Sequence, residues 1–334
     1  MEEMNKIEAA RLEYKDWCSA IGINCLEDLD AVLKEGKAVE LINLCEARQE
    51  RKYAEIANQI EWRKDESKIV LMSGPSSSGK TSSSLRIAQQ CRVIGLKPRV
   101  IELDNYFVER ERTPKDEDGN YDFEALEAMD VELLNRHLTM LLAGEEIEVP
   151  RFDFKEGRPV YGGNGTMKLG PDDILFMEGI HALNPALTPS IPAKNKFYVY
   201  ISALSALKGG EKVHGSTTDK RLLRRIVRDN RTRGISPEDN ILRWPSVRRG
   251  ETRNIFPYEG NAEVVFNSST LYDVPLLKYY AEPLLYGISE ASPAYEKAQS
   301  LLEYLQNVSA LKPSEIAAIP PTSIMREFIG GQRL

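Results

Sequence analysis

Over the first 66 positions apolar residues recur at helical spacing. Ile7, Leu12 and Trp17 fall near one side of one helix, and Ile42, Cys45, Tyr53, Ile56 and Ile60 line a stripe within the run from Val39 to Trp62. No chemistry-bearing pattern marks this segment. At residue 67 the period changes, because Ser67-Lys-Ile-Val-Leu-Met-Ser73 is a continuous apolar run of strand length that enters a Gly/Ser-rich turn. From there short apolar runs alternate with longer helical ones. Strands are expected at Pro98 to Leu103, Asp173 to Met177 and Phe197 to Ile201, and helices at Val131 to Ala143 and Asp219 to Arg233. Such alternation predicts an α/β fold, a parallel sheet flanked by helices. Two further helices are expected at about 273 to 287 and 293 to 307, followed by a tail punctuated by Pro320-Pro321 and Gly330-Gly331.

Three units follow: an N-terminal helical segment at 1–66, an α/β domain at 67–312 and a C-terminal tail at 313–334. The helices of the first unit could pack on the α/β core, mediate self-association or stand in for a lost domain. The tail suits either an ordered strap or a flexible end. The polar stretches 108–123 and 155–172, the second rich in glycine, read as surface loops able to carry function.

Composition narrows the class. The 334 residues are 42% hydrophobic and 28% charged, enough apolar material for a sizeable core. The charged start and the absence of a long apolar run lead to the expectation of a soluble, cytoplasmic protein. With 44 Lys and Arg against 51 Asp and Glu the net charge is −7, which lacks the basic footprint of a nucleic-acid binder. Cys18, Cys25, Cys45 and Cys91 form no C-x-x-C pair and are expected as reduced thiols. With only His137, His181 and His214 as imidazoles, any metal is expected on oxygen ligands.

The strongest motif is Gly74-Pro75-Ser76-Ser77-Ser78-Gly79-Lys80-Thr81, which satisfies G-x-x-x-x-G-K-[ST] after a strand and before a helix. Its glycines let successive N–H groups point inward, and the following helix adds its positive N-terminal end, so the loop cups a polyphosphate. Lys80 would reach the β and γ phosphates, and the Thr81 hydroxyl would ligate Mg²⁺. Ile174-Leu-Phe-Met-Glu178 supplies a carboxylate at the C-terminal edge of a strand, a candidate second group for that metal. The strand ending in Leu103 delivers Asp104 to the same edge, on an element expected to neighbour the P-loop strand. A carboxylate there can deprotonate an attacking hydroxyl, although the position also suits an Asx turn or a helix cap. Asp122 and the run Pro150-Arg-Phe152-Asp-Phe154 add acids beside aromatics, which suits an acceptor with hydroxyls and a flat ring or an ordinary core and turn. Arg221, Arg224, Arg225, Arg228, Arg231 and Arg233 crowd one helical stretch, as cations over a transferring phosphoryl group or as a solvated basic face.

GPSSSGKT, LDNYF, YDFE, PRFDF, MEGIHALNP and RRIVRDNRTRG occur in an order that resembles the uridine kinase and phosphoribulokinase superfamily, and in it bacterial uridine kinase-like nucleoside kinases. The resemblance extends from about residue 67 to the C-terminus. It implies a P-loop kinase that uses ATP and Mg²⁺. On it, Gly74 to Thr81 with Ser82 hold the nucleotide, Thr81 and Glu178 the metal, and Asp104 activates the 5′-hydroxyl of a nucleoside such as uridine or cytidine. Asp122 matches a ribose-binding acid, and Phe152 and Phe154 fall in the motif that packs on the nucleobase. Tyr106 and His181 join them as substrate contacts. Arg228, Arg231 and Arg233 fall in the lid, with Arg228 beside Lys80 and Asp104 in the catalytic set. Lys155-Glu-Gly-Arg158 follows the aromatic motif where short uridine kinases carry a histidine, so the base stays open. Glu178-Gly-Ile-His181 is nearer the phosphoribulokinase form and keeps a sugar-phosphate acceptor in play. A P-loop ATP-binding regulator without small-molecule turnover is a third reading, and self-association is a further expectation.

Overall fold

The computed structural model describes residues 5–115, 117, 119, 121–163, 165–205, 207 and 217–334. Five parallel strands form the central sheet: β1 (Ile69–Ser73), β2 (Lys97–Glu102), β7 (Asp173–Glu178), β8 (Lys196–Ser202) and β9 (Val264–Asn267), in the order β2-β7-β1-β8-β9. The placement of β2 differs from the sequence expectation, since β7 lies between it and the P-loop strand. Burial explains the exchange. All five residues of β1 and the first five of β7 are buried, as a strand covered on both faces requires, whereas β2 alternates exposed and buried positions and takes the edge. Two short antiparallel pairs, β3 (Ile147–Glu148) with β6 (Thr166–Met167) and β4 (Arg151–Asp153) with β5 (Arg158–Val160), stand apart from the sheet.

Side-chain alternation along the strands divides the core. Val70, Met72, Ile174, Phe176, Val199 and Ile201 enter the larger cluster on one face, while Ile69, Leu71, Leu175, Met177 and Tyr200 enter a second cluster on the other. The second face is covered chiefly by α5 (Val131–Leu142). Onto the first pack the N-terminal helices α1 (Lys6–Ala20), α2 (Leu26–Lys34) and α3 (Ala38–Trp62), the P-loop helix α4 (Lys80–Val93), then α6 (Thr217–Thr232), α7 (Pro237–Asn254), α8 (Asp273–Tyr286) and α9 (Tyr295–Leu305). The N-terminal helices thus share the core of the α/β domain: the Tyr53 ring lies 4.8 Å from Phe266, and Gln49 donates to the carbonyl of Ser269 at 3.0 Å.

Of the two readings of the tail, the ordered strap is observed. Two short helices, α10 (Pro313–Ala317) and α11 (Met325–Ile329), bury Ile316, Ile319, Ile324, Met325, Phe328 and Ile329. Burying six apolar side chains contributes on the order of 10 kcal/mol toward holding this segment against the body before the entropy of ordering it is subtracted. In the expected loops, residues 116, 118, 120 and 164 lie outside the described residues, as does His214; the remainder of 155–172 carries β5 and β6. No helix among the described residues is long and apolar enough to cross a membrane.

Candidate active site

The site grows from the turn between β1 and α4. Register sets its floor: Met72 and Glu102 both stand level with Glu178 on neighbouring strands, so Glu102, Glu178 and the start of the P-loop emerge together at the C-terminal edge of the sheet. Gly74 is required by space, because a Cβ there would lie 2.0 Å from the carbonyl oxygen of Ile201 on β8. Gly79 is required by backbone, with φ +83° at the N-cap of α4. Ser77 also adopts a left-handed φ of 58°, an uncommon state for a non-glycine residue that curls the loop. Among the described residues the buried hydroxyls of Ser77 and Ser78 make no hydrogen bond, and Lys80 makes a single long contact, 3.5 Å to the Pro75 carbonyl. Donors held in this way fit a polyphosphate.

Opposite the loop, Thr81 Oγ1 donates to Glu178 Oε1 at 2.8 Å, so the two groups expected around a divalent cation are already in contact. Among the described residues no group of three or more His, Cys, Asp or Glu side chains converges as a metal cage. A hydroxyl and a carboxylate fit an ion that takes its remaining ligands from phosphate and water. Asp104 sits in a one-turn 3₁₀ helix, Leu103–Tyr106, immediately after β2. Its carboxyl is accessible from the cleft but crowded by protein, and this desolvation raises its pKa against the opposing pull of Lys80 and Arg233. Glu178 is raised in the same way, with Lys80 and Thr81 opposing and Asp104 adding.

On the acceptor side the aromatic residues converge. The Phe107 ring lies 5.6 Å from Phe152 and 6.4 Å from Phe154, and Phe152 lies 5.2 Å from Phe154. Phe152 is buried at 5% exposure and Phe154 presents 62% of its surface, so Phe154 is the ring free to meet a ligand. Asp122 caps the next turn by accepting from the Glu124 amide at 3.1 Å and lines a recess with Glu124, Ser246, Arg249 and Arg253.

Two expected substrate contacts are not surface groups. Tyr106 is 1% exposed, and its hydroxyl pairs with His137 Nδ1 at 3.0 Å, an internal bond that fixes the turn holding Asp104. His181 is 2% exposed and lies near Asp122, Glu124 and Ala125 on the acceptor side; burial pushes its imidazole down to about 4, and among the described residues neither ring nitrogen has a hydrogen-bond partner. Of the arginines, Arg231 turns outward and donates to the carbonyls of Phe328 and Glu327 in the tail. Arg228 and Arg233 remain with Arg225 around Asp229, which is fully buried: Arg228 Nε lies 2.8 Å from its Oδ1, Arg225 Nε 3.4 Å from its Oδ2 and Arg233 3.5 Å from its Oδ1. Three cations on one carboxylate leave net positive charge beside the loop.

Residues 69–275 match the model of the Phosphoribulokinase / Uridine kinase family. The chain belongs to that family. A uridine kinase of Halobacterium salinarum is 29% identical over 195 residues, covering 58% of this chain and 77% of that one. A uridine kinase of Macrococcus caseolyticus is 30% identical over 182 residues, or 54% and 78%. One from Bacillus pumilus is 31% identical over 183 residues, or 54% and 76%.

Within this member of the phosphoribulokinase/uridine kinase family, three features of the site escape motif reading. Ser76 is gripped from α6 and α7 together: Arg221 donates to its carbonyl at 3.1 Å, Arg225 to its hydroxyl at 2.9 Å, and its own N–H donates to Glu251 at 2.9 Å. Glu124 stands in the cleft with its carboxyl raised to about 7 by burial, against the pull of Lys80. The tail closes on the loop, with Ile324 against Gly79 and Glu327 on Ser82 at 2.5 Å. The Ser76 grip shows in the sequence as the arginine run, Glu124 lies in the YDFE block and the tail in the C-terminal part of the resemblance, but none of these runs foretells the contact itself.

Proposed function

We propose that the protein is an ATP-dependent kinase that transfers the γ-phosphoryl group to the 5′-hydroxyl of a ribonucleoside, with uridine or cytidine as the acceptor, in the cytoplasm. The observation that carries this reading is the facing arrangement at one sheet edge: the P-loop with Lys80 and the Thr81–Glu178 pair on one side, Asp104 and the Phe107–Phe152–Phe154 cluster on the other. Gly74 to Ser82 hold the nucleotide through backbone N–H groups and hydroxyls. Thr81 and Glu178 would hold Mg²⁺, which when bound neutralises phosphate charge.

The roles of the chain's own groups follow. Asp104 accepts a hydrogen bond from the acceptor hydroxyl, orients it toward the nucleotide and takes its proton as the bond from that oxygen to the γ-phosphorus forms and the bond from phosphorus to the bridging oxygen breaks, leaving ADP. Lys80, with Arg228 and Arg233 on the lid helix α6, meets the charge on the transferring group. Asp122 takes the sugar hydroxyls and Phe154 covers the ring, with Phe152 behind it. Arg231, anchored to the tail, supports the lid rather than the phosphates. The raised carboxyl of Asp104 suits a group that must hold a proton transiently.

A second acceptor class has one observation in its favour. Arg249 and Arg253 line the recess that contains Asp122 and Glu124, and cations there would suit a phosphorylated sugar. The test is ADP release from ATP·Mg²⁺ across uridine, cytidine, thymidine, adenosine, guanosine and ribulose 5-phosphate, with Lys80→Ala as control. Turnover on a pyrimidine ribonucleoside that disappears in the control supports the reading. Turnover on the sugar phosphate alone reassigns the acceptor, and ATP binding with no acceptor-dependent ADP release favours a regulator.

A further inference from the structure

The tail lies outside the stretch that matches the family model, which ends at residue 275, yet it builds one wall of the P-loop. Ile324 Cγ2 would lie 2.9 Å from a Cβ at Gly79, so its side chain seals the loop's outer face. Beyond it, Ser82 Oγ donates to Glu327 Oε2 at 2.5 Å, and Gln332 Nε2 donates to the same Ser82 Oγ at 2.7 Å. A glutamate and a glutamine from the last sixteen residues thus converge on the third residue of the P-loop helix.

Position along the helix decides what that place would contact. Lys80 and Thr81 face the outer phosphates and the metal. With a polyphosphate cupped by the loop, Ser82, one residue further on, would meet the innermost phosphate, and the ribose attached to it would come next. The wall is fixed. Met325 and Phe328 are fully buried, Arg231 holds the carbonyls of Glu327 and Phe328, and the Arg224 guanidinium lies 5.1 Å over the Phe328 ring. The Glu327 side chain itself is half-buried, held at its tip by Ser82. A carboxylate cannot remain on Ser82 beside an incoming phosphate without repulsion, but one rotation away it meets neutral O–H donors. Two carboxylate oxygens match a vicinal diol, the pairing by which acidic side chains read ribose in other nucleotide sites.

We propose that Glu327, with Gln332 beside it, reads the 2′,3′-diol of the nucleotide donor, so that the C-terminal strap is a specificity-determining part of the donor site. This rests on the reading of the P-loop as an ATP site. Ser82 then exchanges Glu327 for the innermost phosphate, and Glu327 exchanges Ser82 for the sugar hydroxyls. Gln332, which can both donate and accept, bridges the two.

The test is calorimetric binding of ATP and of 2′-deoxy-ATP with Mg²⁺ and no acceptor, on the full chain and on Glu327→Ala, Glu327→Gln and Gln332→Ala. The full chain is expected to bind ATP roughly 10- to 100-fold more tightly than the deoxy nucleotide, the size of a hydrogen bond to a charged group. Glu327→Ala should bring the ratio to about 1 to 3, with Glu327→Gln between the two because its amide still accepts. An unchanged thermal midpoint in Glu327→Gln separates this from unfolding. Equal affinity for the two nucleotides in the full chain overturns the proposal. So does a Glu327→Ala variant that binds both more tightly by the same factor, which would make Glu327 a repulsive plug. Failure of the full chain to bind ATP removes the donor reading as well, whereas the other two results leave it intact.

Discussion

Removing the Glu251 carboxylate tests whether the grip on Ser76 is a structural necessity or an incidental contact. Glu251 is fully buried on α7 and accepts from Arg221 at 2.5 and 2.8 Å, from Arg248 at 2.6 Å and from the Ser76 amide at 2.9 Å. Glu251→Ala leaves the Arg221 guanidinium, 1% exposed, without its counter-charge and the Ser76 N–H without an acceptor. Breaking one side of a buried pair costs about 3–5 kcal/mol, a large part of the roughly 5–15 kcal/mol that stabilises a folded protein. At about 2.1 cal/mol/K per residue the unfolding entropy of 334 residues is about 0.7 kcal/mol/K, so the thermal midpoint should fall by roughly 4–7 °C. The double variant Arg221→Met/Glu251→Met removes both charges and should recover most of that loss. Its nucleotide affinity should stay low, because Ser76 has lost two of its three anchors and keeps only the Arg225 bond to its hydroxyl. Urea denaturation of the three proteins, with nucleotide titration beside it, measures both effects. A loss below about 1 kcal/mol in Glu251→Ala, or a double variant less stable than the single one, refutes the argument. The pH dependence has a definite sign. Burial alone would raise the Glu251 carboxyl, but Arg221 and Arg248 hold it below its ordinary value. Its contribution is therefore present above about pH 4.5 and is lost as pH falls through the lowered folded value, so wild type and Glu251→Gln should converge there.

Three further outcomes are expected. Asp104→Asn should lower turnover by roughly 10²- to 10⁴-fold with ATP affinity nearly unchanged, and because burial raises the Asp104 carboxyl, the acid limb of the wild-type rate profile should lie above the ordinary aspartate value near 3.9; near-normal turnover in the variant removes Asp104 from the mechanism. Thr81→Ala should raise the Mg²⁺ concentration needed for half-maximal rate several-fold while leaving the fold intact, since Thr81 is exposed and its one partner is Glu178; an unshifted Mg²⁺ titration speaks against the metal role. Phe154→Ala should raise the acceptor KM by roughly 5- to 100-fold with little change in thermal midpoint, whereas Phe152→Ala, in the core, should cost about 3–5 kcal/mol of stability; a Phe154 variant with unchanged KM shows that the ring does not cover the acceptor.

The parts of the fold legible in the sequence are those with a strong local period or a contiguous motif. β1, β7 and β8 are short apolar runs and α5 and α6 long amphipathic ones, and all five fall within two residues of their expected bounds. The family resemblance carried by the same blocks is matched by the model over residues 69–275. What stayed hidden had no local signature. The helix α7 carries Pro245 and Gly250 within an arginine-rich stretch, which obscures a helical period, and β9 is four residues long. The order of β2 and β7 depends on which strand is buried on both faces, a property of the assembled sheet. Tyr106 sits inside a motif-like run yet points into the core, and His181 in another such run is buried, because a run of sequence specifies neighbours along the chain and not which face of a turn meets solvent.

The arginine run of α6 shows how one composition serves two ends. Arg221 and Arg224 are 1% and 0% exposed, paired with Glu251 and Asp273, and they form the inner face of the helix where apolar side chains would ordinarily stand. Arg225, Arg228 and Arg233 point to the cleft around a single buried Asp229. On the inner face every buried cation has a partner: Arg221 pairs with Glu251, Arg224 with Asp273, and Lys220 shares Asp273 while donating to Ser269. On the cleft face three cations share Asp229, with Glu124 also acting on Arg225 and Asp104 and Glu327 on the half-exposed Arg233. One helix thus carries a buried set of ion pairs on one side and a cleft-facing cluster that reaches solvent at Arg233 on the other. It also places the grip on Ser76, through Arg221 and Arg225, at the boundary between the two faces, where the stability of the lid and the geometry of the P-loop depend on the same side chains.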